Sequence, residues 1–124
     1  MKKISIFLVI ICLICGPAES KQLTASYYTV RSAIQESGQY RMANGKPLCD
    51  FDYTCASLDY PFETLLKITN TDTGHFVFVR VTDRGPNKKL YDKGRVIDLS
   101  KIAFKKLAPL SDGVIPIRIE VIGR

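Results

Sequence analysis

The sequence predicts a mainly-β domain, a small closed β-barrel with one short α-helix. Three observations predict it. The chain breaks into short β-rich runs separated by Gly, Pro and Asn turn signals. Helical spacing is convincing in a single segment, residues 101–107. The length, 124 residues, is one domain's worth, and 46% hydrophobic with 24% charged residues is a globular composition.

Taken in order, the chain opens with a separate signal. Lys2 and Lys3 precede an apolar run over residues 4–15, Gly16-Pro17 breaks it, and Ala18-Glu19-Ser20 sets small residues on either side of Glu19. This is the pattern of a secretory signal peptide over residues 1–20, cleaved after Ser20. As a helix the run reaches ~18 Å, short of a ~30 Å hydrocarbon core, so the reading is a leader and not a stable membrane span. Cys12 and Cys15 each follow an isoleucine, a poor fit to a lipoprotein site. The domain is then expected over residues 21–124, in the periplasm or secreted.

The first strand is expected within residues 23–30 (LTASYYTV), where β-rich residues dominate. Residues 31–40 are polar and read as a loop or a poor helix. Asn44-Gly45 is a turn signal. Residues 53–57 and 64–69 (TLLKIT) read as strands. The latter forms a hairpin with residues 76–81 (FVFVRV) through the turn NTDTG. Asp83-Arg84-Gly85-Pro86 stops that strand, because Pro removes a donor. Residues 87–93 read as a charged loop and 95–99 (RVIDL) as a strand. Ser100 is the expected cap of the helix 101–107, which presents Ile102, Ala103, Phe104 and Leu107 on one face. Pro109 closes it. In residues 115–122, Ile115, Ile117, Ile119 and Val121 alternate with polar neighbours, as in a half-buried strand.

Charge and cysteine content narrow the function classes. The net charge is +6, and residues 80–106 hold nine basic and three acidic side chains. Such a face attracts a polyanion: a peptidoglycan carboxylate, a teichoic acid or an anionic lipid surface. Export argues against nucleic acid. Cys49 and Cys55 are left after the leader, either as a disulfide or as a loop thiol and a buried core thiol. His75 is the only histidine, so a four-ligand zinc set is not available, and no cofactor motif is present.

Five segments, taken together, are specific. They are VRVTDRGPNKKLYDKGRVIDLSKIAFKKL (79–107), Ala25-Ser26-Tyr27-Tyr28, Ala43-Asn44-Gly45, TCASLDYPFET (54–64) and the last strand, 113–121. In this order they resemble the double-psi β-barrel domain of rare lipoprotein A-like proteins, a family of endolytic peptidoglycan transglycosylases. The resemblance implies a six-stranded double-psi barrel acting on peptidoglycan glycan strands and leaving 1,6-anhydro-N-acetylmuramic acid ends. It also marks departures. Lys46 stands where the family commonly has a glutamate implicated in catalysis, Ser57 where it has histidine, and Glu63 where it has glycine. Asp83 and Asp98 remain of the polar site. The Asp98 position is also functional in expansin-like barrels, which loosen walls without measurable cleavage. A barrel that binds or loosens peptidoglycan without cutting it is therefore the alternative function.

Transglycosylation needs a proton delivered to the glycosidic oxygen and then taken from the 6-hydroxyl of N-acetylmuramic acid. One carboxyl serves both steps in turn, since each leaves it in the form the other requires. Asp83 is the leading acid/base candidate, with Asp98 as its support. Arg80, Arg84 and Arg95 lie near both in sequence. A guanidinium beside either carboxyl lowers its pKa, whereas the other aspartate raises it. Both residues also have structural readings: Asp83 accepts backbone N–H groups in its loop, and Asp98 pairs with Arg84 or Arg95. Asn44 (turn residue and glycan hydrogen bond), Lys46 (carboxylate contact), Tyr28 (sugar stacking) and Arg84 complete the expected substrate-binding set.

Overall fold

The computed structural model describes residues 22–124. The expected signal peptide over 1–20 lies outside the described residues. Six strands form a closed barrel: β1 (Thr24–Tyr28), β2 (Thr54–Ser57), β3 (Leu65–Asn70), β4 (Phe76–Asp83), β5 (Arg95–Ser100) and β6 (Ile115–Gly123). Their order around the barrel is β1-β5-β2-β4-β3-β6. The β1–β5 and β2–β4 pairs are parallel and the other four antiparallel. This is the six-stranded architecture that the resemblance implied. The β3–β4 hairpin has the expected register, Ile68 opposite Val77 and Leu66 opposite Val79.

Alternation along the strands fills the barrel. Ala25, Cys55, Leu66, Ile68, Val79, Val81, Ile97 and Leu99 are all fully buried. One end is plugged by the expected helix, Lys101–Leu107, which buries Ala103, Phe104 and Leu107. Phe104 sits 4.8 Å from the ring of Tyr27, so Tyr27 is the core member of the tyrosine pair. Extended Ala108 ends the helix, as the residue before Pro109 should.

Two further helices accompany it. Residues 31–40, read as a loop or poor helix, hold helix α1 (Val30–Ser37). It buries no residue fully, and its ends support it: Thr29 and Ser32 form a reciprocal capping box, and Gly38 closes it in the left-handed conformation. Residues 87–93, expected to be a charged loop, contain the single turn α2 (Lys88–Asp92). Asn87 caps it by accepting from the Leu90 N–H at 3.0 Å, and Lys88 pairs with Asp92 at 2.9 Å. The plug helix is thus α3. Ser100 occupies its N-cap position, but its hydroxyl does not cap the helix; it accepts from the Thr54 N–H at 3.5 Å, tying β5 to β2.

Cys55 is buried in the core and Cys49 half-buried, and both are free thiols. Among the described residues, no helix is long and apolar enough to cross a membrane, and no three His, Cys, Asp or Glu side chains gather as a metal-binding set.

Candidate active site

A row across four strands builds the site. Asp98 on β5 is in register with Ser26 on one side and with Ala56 on the other, and Ala56 is in register with Asp83 on β4. At ~4.8 Å per strand, the two aspartate backbones lie ~10 Å apart with only a methyl group between them. A register shift makes this possible. Cys55 pairs with Val81, yet Ala56 pairs with Asp83, so Thr82 is skipped. Such a bulge re-aims the side chain that follows it. It sets Asp83 beside Asp98, on the surface opposite core residues Cys55, Val81 and Leu99.

Both carboxylates line a groove of about 460 Å³ together with Tyr28, Glu36, Arg84 and Arg95, and Ala56 lies between them. Oδ1 of Asp83 accepts the N–H groups of Ala43 at 2.9 Å and Arg84 at 2.8 Å, which fixes the carboxylate by its loop. Among the described residues no cation pairs with it. The Arg84 guanidinium turns away, donating to the carbonyls of Ser57 at 2.9 Å and Tyr60 at 2.6 Å and lying 4.1 Å from the Phe62 ring centre. It therefore braces the 57–62 loop. Arg80 donates to the Glu63 carbonyl.

Only Arg95, of the three nearby arginines, meets an aspartate. Its Nε and Nη2 approach Oδ1 of Asp98 at 3.0 and 2.9 Å, so both contacts fall on one carboxylate oxygen. Burial nevertheless pushes the Asp98 carboxyl above the usual range. Arg95 opposes that shift, while Glu36 and Asp83 add to it. The phenol of Tyr28 is also pushed up, by burial first and by Asp83 second, while the Thr54 hydroxyl beside it opposes the shift.

The remaining expected residues are placed as follows. Asn44 Oδ1 accepts from the Lys46 N–H, and its own N–H donates to Thr82, so it shapes the turn that holds Asp83 through Ala43. Lys46 lines a separate hollow with Cys49, Asp52, Glu63 and Arg80. Ser57 is buried and accepts from the Asp59 N–H at 3.0 Å. Exposed His75 lines another hollow, beside Lys105. Sequence reasoning missed Glu36, which reaches the groove from α1. The caps of that helix, Thr29-x-x-Ser32 and Gly38, were its signal. It also missed the Tyr91 hydroxyl donating to Asp59 at 2.6 Å, which joins α2 to the β2–β3 loop.

Residues 20–119 match the family model described as lytic transglycolase. The chain is 48% identical over 71 residues to a probable endolytic peptidoglycan transglycosylase RlpA of a Nostoc species, covering 57% of this chain and 18% of that protein. It is 39% identical over 83 residues to the endolytic peptidoglycan transglycosylase RlpA of Campylobacter jejuni, covering 67% and 29%. The chain thus spans less than a third of the length of either relative. Among solved structures, the Streptomyces papain inhibitor shares the fold with a TM-score of 0.60 at 24% identity, over 82% of this chain and 92% of that one.

Proposed function

Because this chain belongs to the lytic transglycolase family, we propose that it acts outside the cytoplasm, after removal of residues 1–20, and cleaves peptidoglycan glycan strands to 1,6-anhydro-N-acetylmuramic acid ends. The observation that carries the reading is the pair of aspartates facing one groove, with Asp98 raised by burial and Asp83 free of any cation among the described residues. The proton carrier is then Asp98, with Asp83 as its charged neighbour. Neutral Asp98 gives its proton to the glycosidic oxygen as the bond to C1 breaks, and the resulting carboxylate is held at Oδ1 by Arg95. The 6-hydroxyl oxygen then bonds to C1 and its proton returns to Asp98. No water is consumed, and the carboxyl ends as it began.

Ser57 favours a second reading, a barrel that holds glycan without cutting it. Its hydroxyl is buried and accepts the Asp59 N–H, so it offers no group to the groove where the family has histidine. Mass spectrometry of purified glycan strands after digestion separates the two. Anhydro-terminated products are expected from the native chain, with a loss of about 10²- to 10⁴-fold in Asp98→Asn. Equal product from both, or none from either, would leave the binding reading.

A further inference from the structure

A hollow of about 300 Å³ on the outer wall of the barrel is lined by Tyr53, Phe76, Val77, Phe78 and Lys106. Its rings face solvent for a reason of register. Alternation along β4 buries Val77 and Val79 and sends Phe76 and Phe78 outward. Strand β2 first pairs with β4 at Arg80, so among the described residues 76–79 have no strand beside them on that edge. Tyr53, the residue before β2, and Lys106 of α3 flank them instead. Phe76, Phe78 and Tyr53 are left 52%, 43% and 39% exposed. Single exposed apolar residues are ordinary, whereas several rings gathered in one hollow mark a binding surface.

The position of this hollow on β4 ties it to the groove. Tyr53 lines it and also lines the hollow of Arg80 and Thr82. The next residue after Thr82, Asp83, lines the groove. Three concavities therefore follow one another along a single strand: Phe76 and Phe78, then Arg80 and Thr82, then Asp83. At ~3.3 Å per residue, Phe78 and Phe76 lie ~17 and ~23 Å from Asp83. One sugar does not span that distance, and a glycan strand does. The rings are held in place. Phe76 and Phe78 meet edge to face with centres 5.8 Å apart, and Lys67 Nζ sits 4.4 Å from the centre of the Phe76 ring.

We propose that the aromatic hollow is a remote subsite for the glycan strand seated in the groove, holding sugars several places away from the bond to be cut; the identity of the polymer rests on the cell-wall reading above. A pyranose ring carries C–H bonds on its faces and hydroxyls around its rim. Apolar rings bordered by the polar ends of Tyr53 and Lys106 match both. An anionic lipid surface fits less well, because the nearby cation Lys67 is in register with Glu120. Three rings, each about half exposed, also fall far short of the ~800 Å² that a stable protein interface buries on each side.

The test is an NMR titration with disaccharide and octasaccharide fragments of the glycan strand, in the Asp98→Asn chain so that the probe is not consumed. The octasaccharide is expected to move the amides of Tyr53, Phe76 and Phe78 together with Ala56 in the groove, and the disaccharide to move Ala56 alone. Adding Phe76→Ser and Phe78→Ser together should raise the octasaccharide Kd about tenfold and leave the disaccharide Kd unchanged. Phe76→Tyr with Phe78→Tyr keeps both rings and should bind like the parent, which separates lost stacking from lost folding. Three results would overturn the proposal: no octasaccharide shifts at the three aromatics, parental octasaccharide affinity in the serine variant, or shifts there with anionic vesicles and none with the octasaccharide. Glycan cleavage is scored apart, in the native chain. Binding at the hollow with no strand cut keeps the subsite and sinks the cleavage reading, and cutting without such binding does the reverse.

Discussion

Asp98 carries two opposing demands in one side chain. Burial makes its charged form unfavourable, and Arg95 makes it favourable. Because both Arg95 contacts fall on Oδ1, the carboxylate can be stabilised after it gives up a proton while Oδ2 remains the oxygen for the transfer. Asp83, 15 residues earlier in the chain, contributes as a fixed charge that backbone N–H groups hold in place. A pH dependence of stability follows from the shift. A carboxyl whose folded pKa is raised binds more proton when folded than when unfolded. Its contribution is therefore present below the ordinary carboxylate pKa of about 4 and is lost as pH rises through the raised value. Urea unfolding across this window should show stability falling with pH from this residue, and the component should vanish in Asp98→Asn. An unchanged slope in the variant would show that Asp98 titrates alike in both states.

The elements differ in how plainly their sequences declared them. Strand alternation was legible in the first half of β6, where Ile115 and Ile117 are buried and Arg118 is exposed; it fails at the strand's end, where Val121, expected on the same face, is exposed like Glu120. The hairpin of β3 and β4 was equally plain, because its turn and its apolar run reinforce each other. Helices α1 and α2 were not. Neither buries a residue fully, so neither packs a stripe into the core as α3 does, and their caps carry the signal instead. Ser100 shows the reverse error, a residue of capping type whose hydroxyl serves a neighbouring strand. Helix α3 holds its place through Phe104, fully buried against Tyr27. Phe104→Ala is expected to destabilise the fold by about 3–5 kcal/mol, read as a lowered urea midpoint at unchanged slope. A loss under 1 kcal/mol would mean that α3 is not what closes the barrel end.

At the scale of the whole molecule, barrel closure makes a site from residues that the chain keeps apart. Asp83 and Asp98 were legible as candidates because they stand in the Asp-Arg-Gly-Pro and Ile-Asp-Leu-Ser segments. Their meeting was not, since it depends on β2 lying between β4 and β5 and on the skipped pairing at Thr82. The choice of arginine was hidden for the same reason. Arg84 is next to Asp83 in sequence yet braces a loop, while Arg95 takes Asp98. Lys46, which shares the 42–47 turn with Asn44, lines a different hollow. What the fold assembles is thus a half-buried carboxyl, Asp98, and a second one, Asp83, held by backbone N–H groups along the same groove. NMR titration of the Asp98 carboxyl carbon, in the native chain and in Asp83→Asn, tests this most directly. The account predicts a midpoint above the ordinary carboxylate range that falls when Asp83 loses its charge; a midpoint within or below that range, unmoved by the substitution, would contradict it.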